Sequence, residues 1–90
     1  SQLIVVLTDA PQDMSSGTLI SRCTYKTTPE KGVEGSLLWK PGHVSLDLGK
    51  GYCLEAVGEL RDLQVNKIAG RGFTTSGRLP WVDYTGASDK

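Results

Sequence analysis

The chain has 90 residues, with 10 Lys and Arg against 10 Asp and Glu and 1 His, so its formal net charge is zero, and 38% of it is hydrophobic. A domain of this size buries only about 60–65% of the surface that its unfolded chain exposes, which limits it to one small core. Zero net charge removes the long-range field on which nonspecific nucleic-acid and anionic-membrane binding draw, and the longest apolar run, Leu3 to Leu7, falls far short of the ~20 residues of a bilayer span.

In chain order, Leu3 to Thr8 reads as a strand buried on both faces. Thr18 to Thr27 reads as an alternating strand rich in threonine. Val33 to Lys40, Val44 to Leu48, Tyr52 to Val57 and Leu79 to Tyr84 complete the clear set. Turn clusters, among them Asp9 to Asp13, Thr28 to Gly32, Pro41-Gly42, Gly49 to Gly51 and Ser76-Gly77, recur about every 8–12 residues, the spacing of short strands. Glu59 to Ala69 is open between the two periods: Leu60, Leu63 and Lys67 have helical spacing while Leu63, Val65 and Lys67 alternate, which predicts a turn of helix and then a strand. The expected fold is mainly β, a small antiparallel barrel or sandwich of about six to seven short strands with at most one short helix. It forms a single domain over residues 1–84, followed by a frayed tail over 85–90.

Two cysteines, Cys23 and Cys53, can form one disulfide. Closing a loop of about 30 residues would stabilise the fold by roughly 3–4 kcal/mol in the chain-entropy model. Such a bridge favours a secreted or extracellular setting. Two buried reduced thiols would fit a cytosolic or viral protein instead.

The stretch PGHVSLDLGKGYCLEAVG, residues 41–58, predicts a hairpin about Gly49-Lys50-Gly51. Setting Leu48 opposite Tyr52, Leu46 opposite Leu54 and Val44 opposite Ala56 collects one apolar face, and leaves His43, Ser45, Asp47, Cys53 and Glu55 on the other. In that register His43 lies roughly 13 Å from Cys53, at about 3.3 Å per residue, too far for a nucleophile and its base. Its diagonal neighbour is Glu55. Such a pair would form a proton carrier or a pH-sensitive spot.

The same stretch resembles the histidine-bearing hairpin of the NlpC-type papain-like hydrolases and their circularly permuted relatives, which runs from a His-Val pair through an alternating strand and a Gly-x-Gly turn to a strand ending in an acidic or histidine residue and alanine. The resemblance implies that His43 is a general base for a cysteine nucleophile. In that family the nucleophile opens a helix, whose amides and dipole lower the thiol pKa. Cys23 stands instead in the β-branched ISRCTYKTT, and no cysteine follows Cys53.

Trp39 with Lys40, Tyr25 with Lys26, and Phe73 beside Arg71 and Arg78 are candidate stacking platforms for single-stranded nucleic acid. One histidine and scattered carboxylates do not supply metal ligands at useful spacing, and no cofactor is expected. The segment AGRGFTTSGRLPW combines glycines, arginines and aromatics, a mobile cationic loop suited to a partner. The expected function is therefore a non-enzymatic binding module of the secreted effector, toxin, inhibitor or viral accessory kind, acting on a protein. Its contact residues would be Arg71, Phe73, Arg78 and Trp81, with His43 and Glu55 as a second patch. The alternatives are a papain-like cysteine hydrolase fragment with His43 as base and a nucleic-acid-binding barrel.

Overall fold

A computed structural model describes residues 15–57 and 62–84. The expected strand Leu3 to Thr8, the helical turn before Asp62 and the tail 85–90 lie outside the described residues. Six antiparallel strands form one open sheet: β1 (Thr24–Thr27), β2 (Leu37–Lys40), β3 (His43–Gly49), β4 (Tyr52–Val57), β5 (Asp62–Lys67) and β6 (Thr75–Arg78), in the order β1-β6-β2-β3-β4-β5. Among the described residues the sheet does not close into a barrel. The mainly β class stands as read from the sequence, and the described residues hold one short α-helix.

That helix, α1 (Ser16–Arg22), replaces the first half of the strand expected over Thr18 to Thr27. Ser15 caps it by accepting a hydrogen bond from the Thr18 amide at 3.3 Å, satisfying one of the amides that a helix start leaves unpaired. Leu19 then points inward and is fully buried. Here a local cap and one buried leucine override the β preference of the threonines. β6 departs from expectation in the other direction. Thr75–Arg78 carries turn-like residues, yet β1 and β2 flank it as a central strand. Leu79 to Tyr84, expected as a strand, forms a turn instead, in which Leu79, Trp81 and Val82 join the core.

The two hairpins follow their turn chemistry. Pro41-Gly42 joins Lys40 to its partner His43, with Gly42 at φ 77, the positive φ that a Pro-Gly turn needs at its second residue. Between β3 and β4, Gly49, Lys50 and Gly51 all have positive φ. Leu46 faces Leu54 as expected, but a register shift after Asp47 sets Gly49, rather than Leu48, opposite Tyr52. The Asp47 carboxylate accepts the Gly49 amide at 2.7 Å and holds that shift in place.

The registers define two faces. Gly77, Leu37, Leu46, Leu54 and Val65 stand opposite one another across five strands, and on this face Leu19 and Cys23 of the helix region pack with Leu37, Val44 and Leu79. The other face carries Ser76, Leu38, Ser45, Asp47, Cys53 and Glu55. It is covered by a 3-10 turn (Pro29–Lys31) and Val33, and Pro29 and Val33 are buried.

No disulfide forms: Cys23 and Cys53 are both buried free thiols. The sheet itself separates them. Cys23 lies over Gly77 on the helix side, where a Cβ at Gly77 would come within 2.5 Å of the Cys23 Cβ. Cys53, next to Leu54 in β4, points to the opposite side. The argument for an oxidising compartment loses the bridge on which it rested.

Candidate functional site

On the polar face the chain encloses a carboxylate. Glu55 is 0% exposed in the middle of β4, and three donors converge on it. His43 Nε2 lies 2.5 Å from Oε2, Arg71 Nε donates to Oε1 at 2.9 Å and Asn66 Nδ2 donates to Oε1 at 3.1 Å. The Cys53 thiol approaches Oε1 at 3.7 Å. Burial alone would push the Glu55 pKa up. The hydrogen bonds from His43, Arg71 and Asn66 outweigh it and hold the carboxyl down to about 2, as expected when several donors serve the charged form.

Each donor is placed by a different element. His43 begins β3 immediately after the Pro-Gly turn, one diagonal from Glu55. Asn66 enters through β5, whose register sets it opposite Cys53 and Gln64 opposite Glu55. Arg71 comes from the segment 68–74, which is pinned rather than loose: the Ile68 amide donates to Gly51 O at 2.8 Å and the Thr74 amide to Trp39 O at 2.9 Å. Lys40 Nζ donates to Arg71 O at 2.5 Å. Gly70 and Gly72, at φ 82 and 83, make the reversals that turn Arg71 toward β4.

Phe73 completes the arrangement. Its ring stacks on His43 at 5.9 Å between centroids with 21° between planes, and Lys40 Nζ lies 5.2 Å from its centroid. Beside this plate opens a cleft of about 950 Å³, walled by Pro29, Ile68, Ala69 and Phe73 and rimmed by Glu30 and Lys50.

Four of the residues singled out in the sequence, His43, Glu55, Arg71 and Phe73, thus meet in one cluster rather than two patches. Arg78 and Trp81 stand elsewhere. The Arg78 guanidinium lies over Tyr25 at 4.7 Å and Tyr84 at 5.5 Å. Trp81 packs against the core with Arg22 5.9 Å from its ring. Sequence reasoning missed Asn66, and it set Lys40 with Trp39 where the structure sets its ammonium over Phe73. Extending the register from β4 into the alternating Leu63, Val65 and Lys67 would have placed Asn66 beside Cys53.

Neither thiol has an activating setting. Cys23 follows the carboxyl end of α1, the end with negative partial charge. Burial pushes its pKa up to about 11 against a smaller opposing effect of Lys26. Burial also raises Cys53, with the hydroxyl of Ser45 opposing and the carboxylate of Glu55 adding to the rise.

Among the described residues no group of three or more His, Cys, Asp or Glu is arranged to hold a metal ion, and no helix is long and apolar enough to cross a membrane. Comparisons with protein-family models, curated proteins and solved structures find no match for the chain. The fold and this cluster define it as a small, mainly β domain built around a buried, triply bonded carboxylate beside an apolar cleft.

Proposed function

We propose that the chain is a non-enzymatic binding module whose partner is a protein, held as an extended apolar segment in the cleft beside Phe73. The observation that carries this reading is the division of labour around Glu55. The buried carboxylate fixes His43 and Arg71, His43 in turn supports the Phe73 ring, and the result is a rigid aromatic wall beside an apolar cleft with opposite charges at its rim. A preorganised wall reduces the ordering cost that binding would otherwise carry, and aromatic anchors dominate such interfaces. Glu30 and Lys50 give the segment a charge polarity, its basic end toward Glu30 and its acidic end toward Lys50. Selection from a displayed peptide library against the folded domain tests it. The expected outcome is an apolar consensus whose binding is lost on Phe73→Ala and kept on Trp81→Ala. Binding indifferent to Phe73 would refute the assignment.

One observation favours a second reading, a papain-like hydrolase with His43 as base. An imidazole held by a buried carboxylate is the orienting half of a catalytic triad. That reading requires a thiol that alkylates readily in the folded state and loses this reactivity on His43→Ala. The raised pKa values of Cys23 and Cys53 point to slow alkylation of both.

A further inference from the structure

A second concavity, of about 410 Å³, lies between β1, the end of the 3-10 turn and β6, lined by Lys31 and Gly32 where the Phe73 cleft is lined by Pro29 and Glu30. It has the composition of an anion receptor. Lys26, Lys31 and Arg78 line it together with the hydroxyl residues Thr27, Ser36 and Ser76, and among the described residues no acidic side chain does so. In a chain whose formal charges cancel, three cations around one pocket without an acid in its wall is a local excess that the composition does not foretell. Among the described carboxylates, Glu30 is exposed, Asp47 is buried near Gly32 with the Gly49 amide on its Oδ1, and Asp83 lines an adjoining concavity that shares Tyr25 and Arg78.

A second feature points the same way independently of charge. Ser76 is 1% exposed, and its hydroxyl oxygen makes no hydrogen bond within the protein. Leaving such a group unmet costs about 1–3 kcal/mol, so a hydroxyl of this kind in a pocket wall is a donor awaiting an acceptor. Gly32 packs directly against this hydroxyl, and only glycine can: a Cβ there would collide with the Ser76 Oγ. Arg78, whose guanidinium lies against the rings of Tyr25 and Tyr84, is held in orientation by aromatic contact. An arginine so fixed, two lysines and short hydroxyl donors are the set that recognises a tetrahedral oxoanion.

We propose that the pocket formed by Lys26, Lys31, Ser76 and Arg78 binds a phosphate group, with the Ser76 hydroxyl as its buried donor and the three cations as its rim. The site is separate from the cleft beside Phe73 and does not depend on the reading given to that cleft. Tyr25, 74% exposed at the mouth, offers a face to whatever organic group carries the phosphate.

The test is a titration of the isotopically labelled domain with inorganic phosphate at constant ionic strength, followed by amide chemical shifts, with chloride as the control. Saturable shifts are expected at Thr27, Lys31, Gly32 and Ser76 and not at His43 or Phe73. Arg78→Ala should weaken binding roughly tenfold, the loss of one charge-assisted hydrogen bond. Ser76→Ala should weaken it several-fold with no loss of thermal stability, because the hydroxyl has no partner in the protein to forfeit. Phenyl phosphate and O-phosphoserine then distinguish the carrier: tighter binding of the aromatic ester assigns Tyr25 a stacking role, and equal binding assigns recognition to the phosphate alone. Linear shifts that do not saturate, shifts that chloride reproduces, or affinity unchanged by Ser76→Ala would overturn the proposal.

Discussion

On the helix side of the sheet, burial gathers Leu19, Leu37, Val44 and Leu79, which need no partner beyond one another. On the opposite side burial encloses Ser45, Asp47, Glu55 and Ser76, each at most 1% exposed. The first side is held by removal of apolar area from water, which is non-directional and forgiving of small shifts. The second depends on donors meeting acceptors, so its tolerance is set by geometry. The same strands serve both, because alternate residues point to opposite sides. A single residue of β4 therefore separates a packed leucine from a buried ion.

The comparison breaks most sharply at Glu55. Glu55→Ala leaves His43, Arg71 and Asn66 without their common acceptor, and urea unfolding should show a loss of about 3–5 kcal/mol, the cost typical of breaking a buried charged network. Leu37→Ala on the helix side should cost about 2–5 kcal/mol through lost contact and a residual cavity. The two variants should differ in kind as well: adding His43→Phe to Glu55→Ala should recover part of the loss, whereas it should recover nothing in Leu37→Ala.

Acid sharpens the contrast next. The Glu55 carboxyl sits at about 2 in the folded protein against an ordinary value of 4.5. The folded state thus favours the ionised form, and the associated stability is complete above about pH 4.5 and drains away as pH falls toward 2. Its size is on the order of 2 kcal/mol after allowance for solvent screening. Urea midpoints between pH 6 and pH 2 should show the loss in the parent and in Leu37→Ala, and a flatter profile in Glu55→Gln.

The smallest effect concerns the approach of the helix region to the sheet. Gly77→Ala sets a Cβ within 2.5 Å of the Cys23 Cβ and should cost about 1–3 kcal/mol by overpacking. Cys23→Ala combined with it should return part of that cost in thermal denaturation, since only the sulfur would be relieved.

How far the sequence revealed these features differed along the chain. The hairpin of β3 and β4 was legible because its apolar residues align in one register only, and that register carried His43 to Glu55. The bulge after Asp47 was not, since it depends on a side chain folding back onto its own backbone. β6 was hidden for a related reason: threonine, serine and glycine spell a turn locally, and only flanking strands make them a strand. The convergence of Arg71 on Glu55 needed the two glycine reversals, whose direction composition does not encode. Arg78 and Trp81 shared a loop with Arg71 in the sequence, yet the chain enters and leaves β6 between them, which sends them to separate surroundings.

The sheet ends at β5, where Leu63 and Val65 are 57% and 60% exposed and no described strand lies beyond. Such a margin presents a row of backbone amides and carbonyls to any extended chain that passes. Its guard is brevity and charge: six residues, with Asp62 at one end and Lys67 at the other. Neutralising that pair would leave a border of exposed apolar side chains and unpaired backbone groups, so two ionic side chains are what this margin has against self-association.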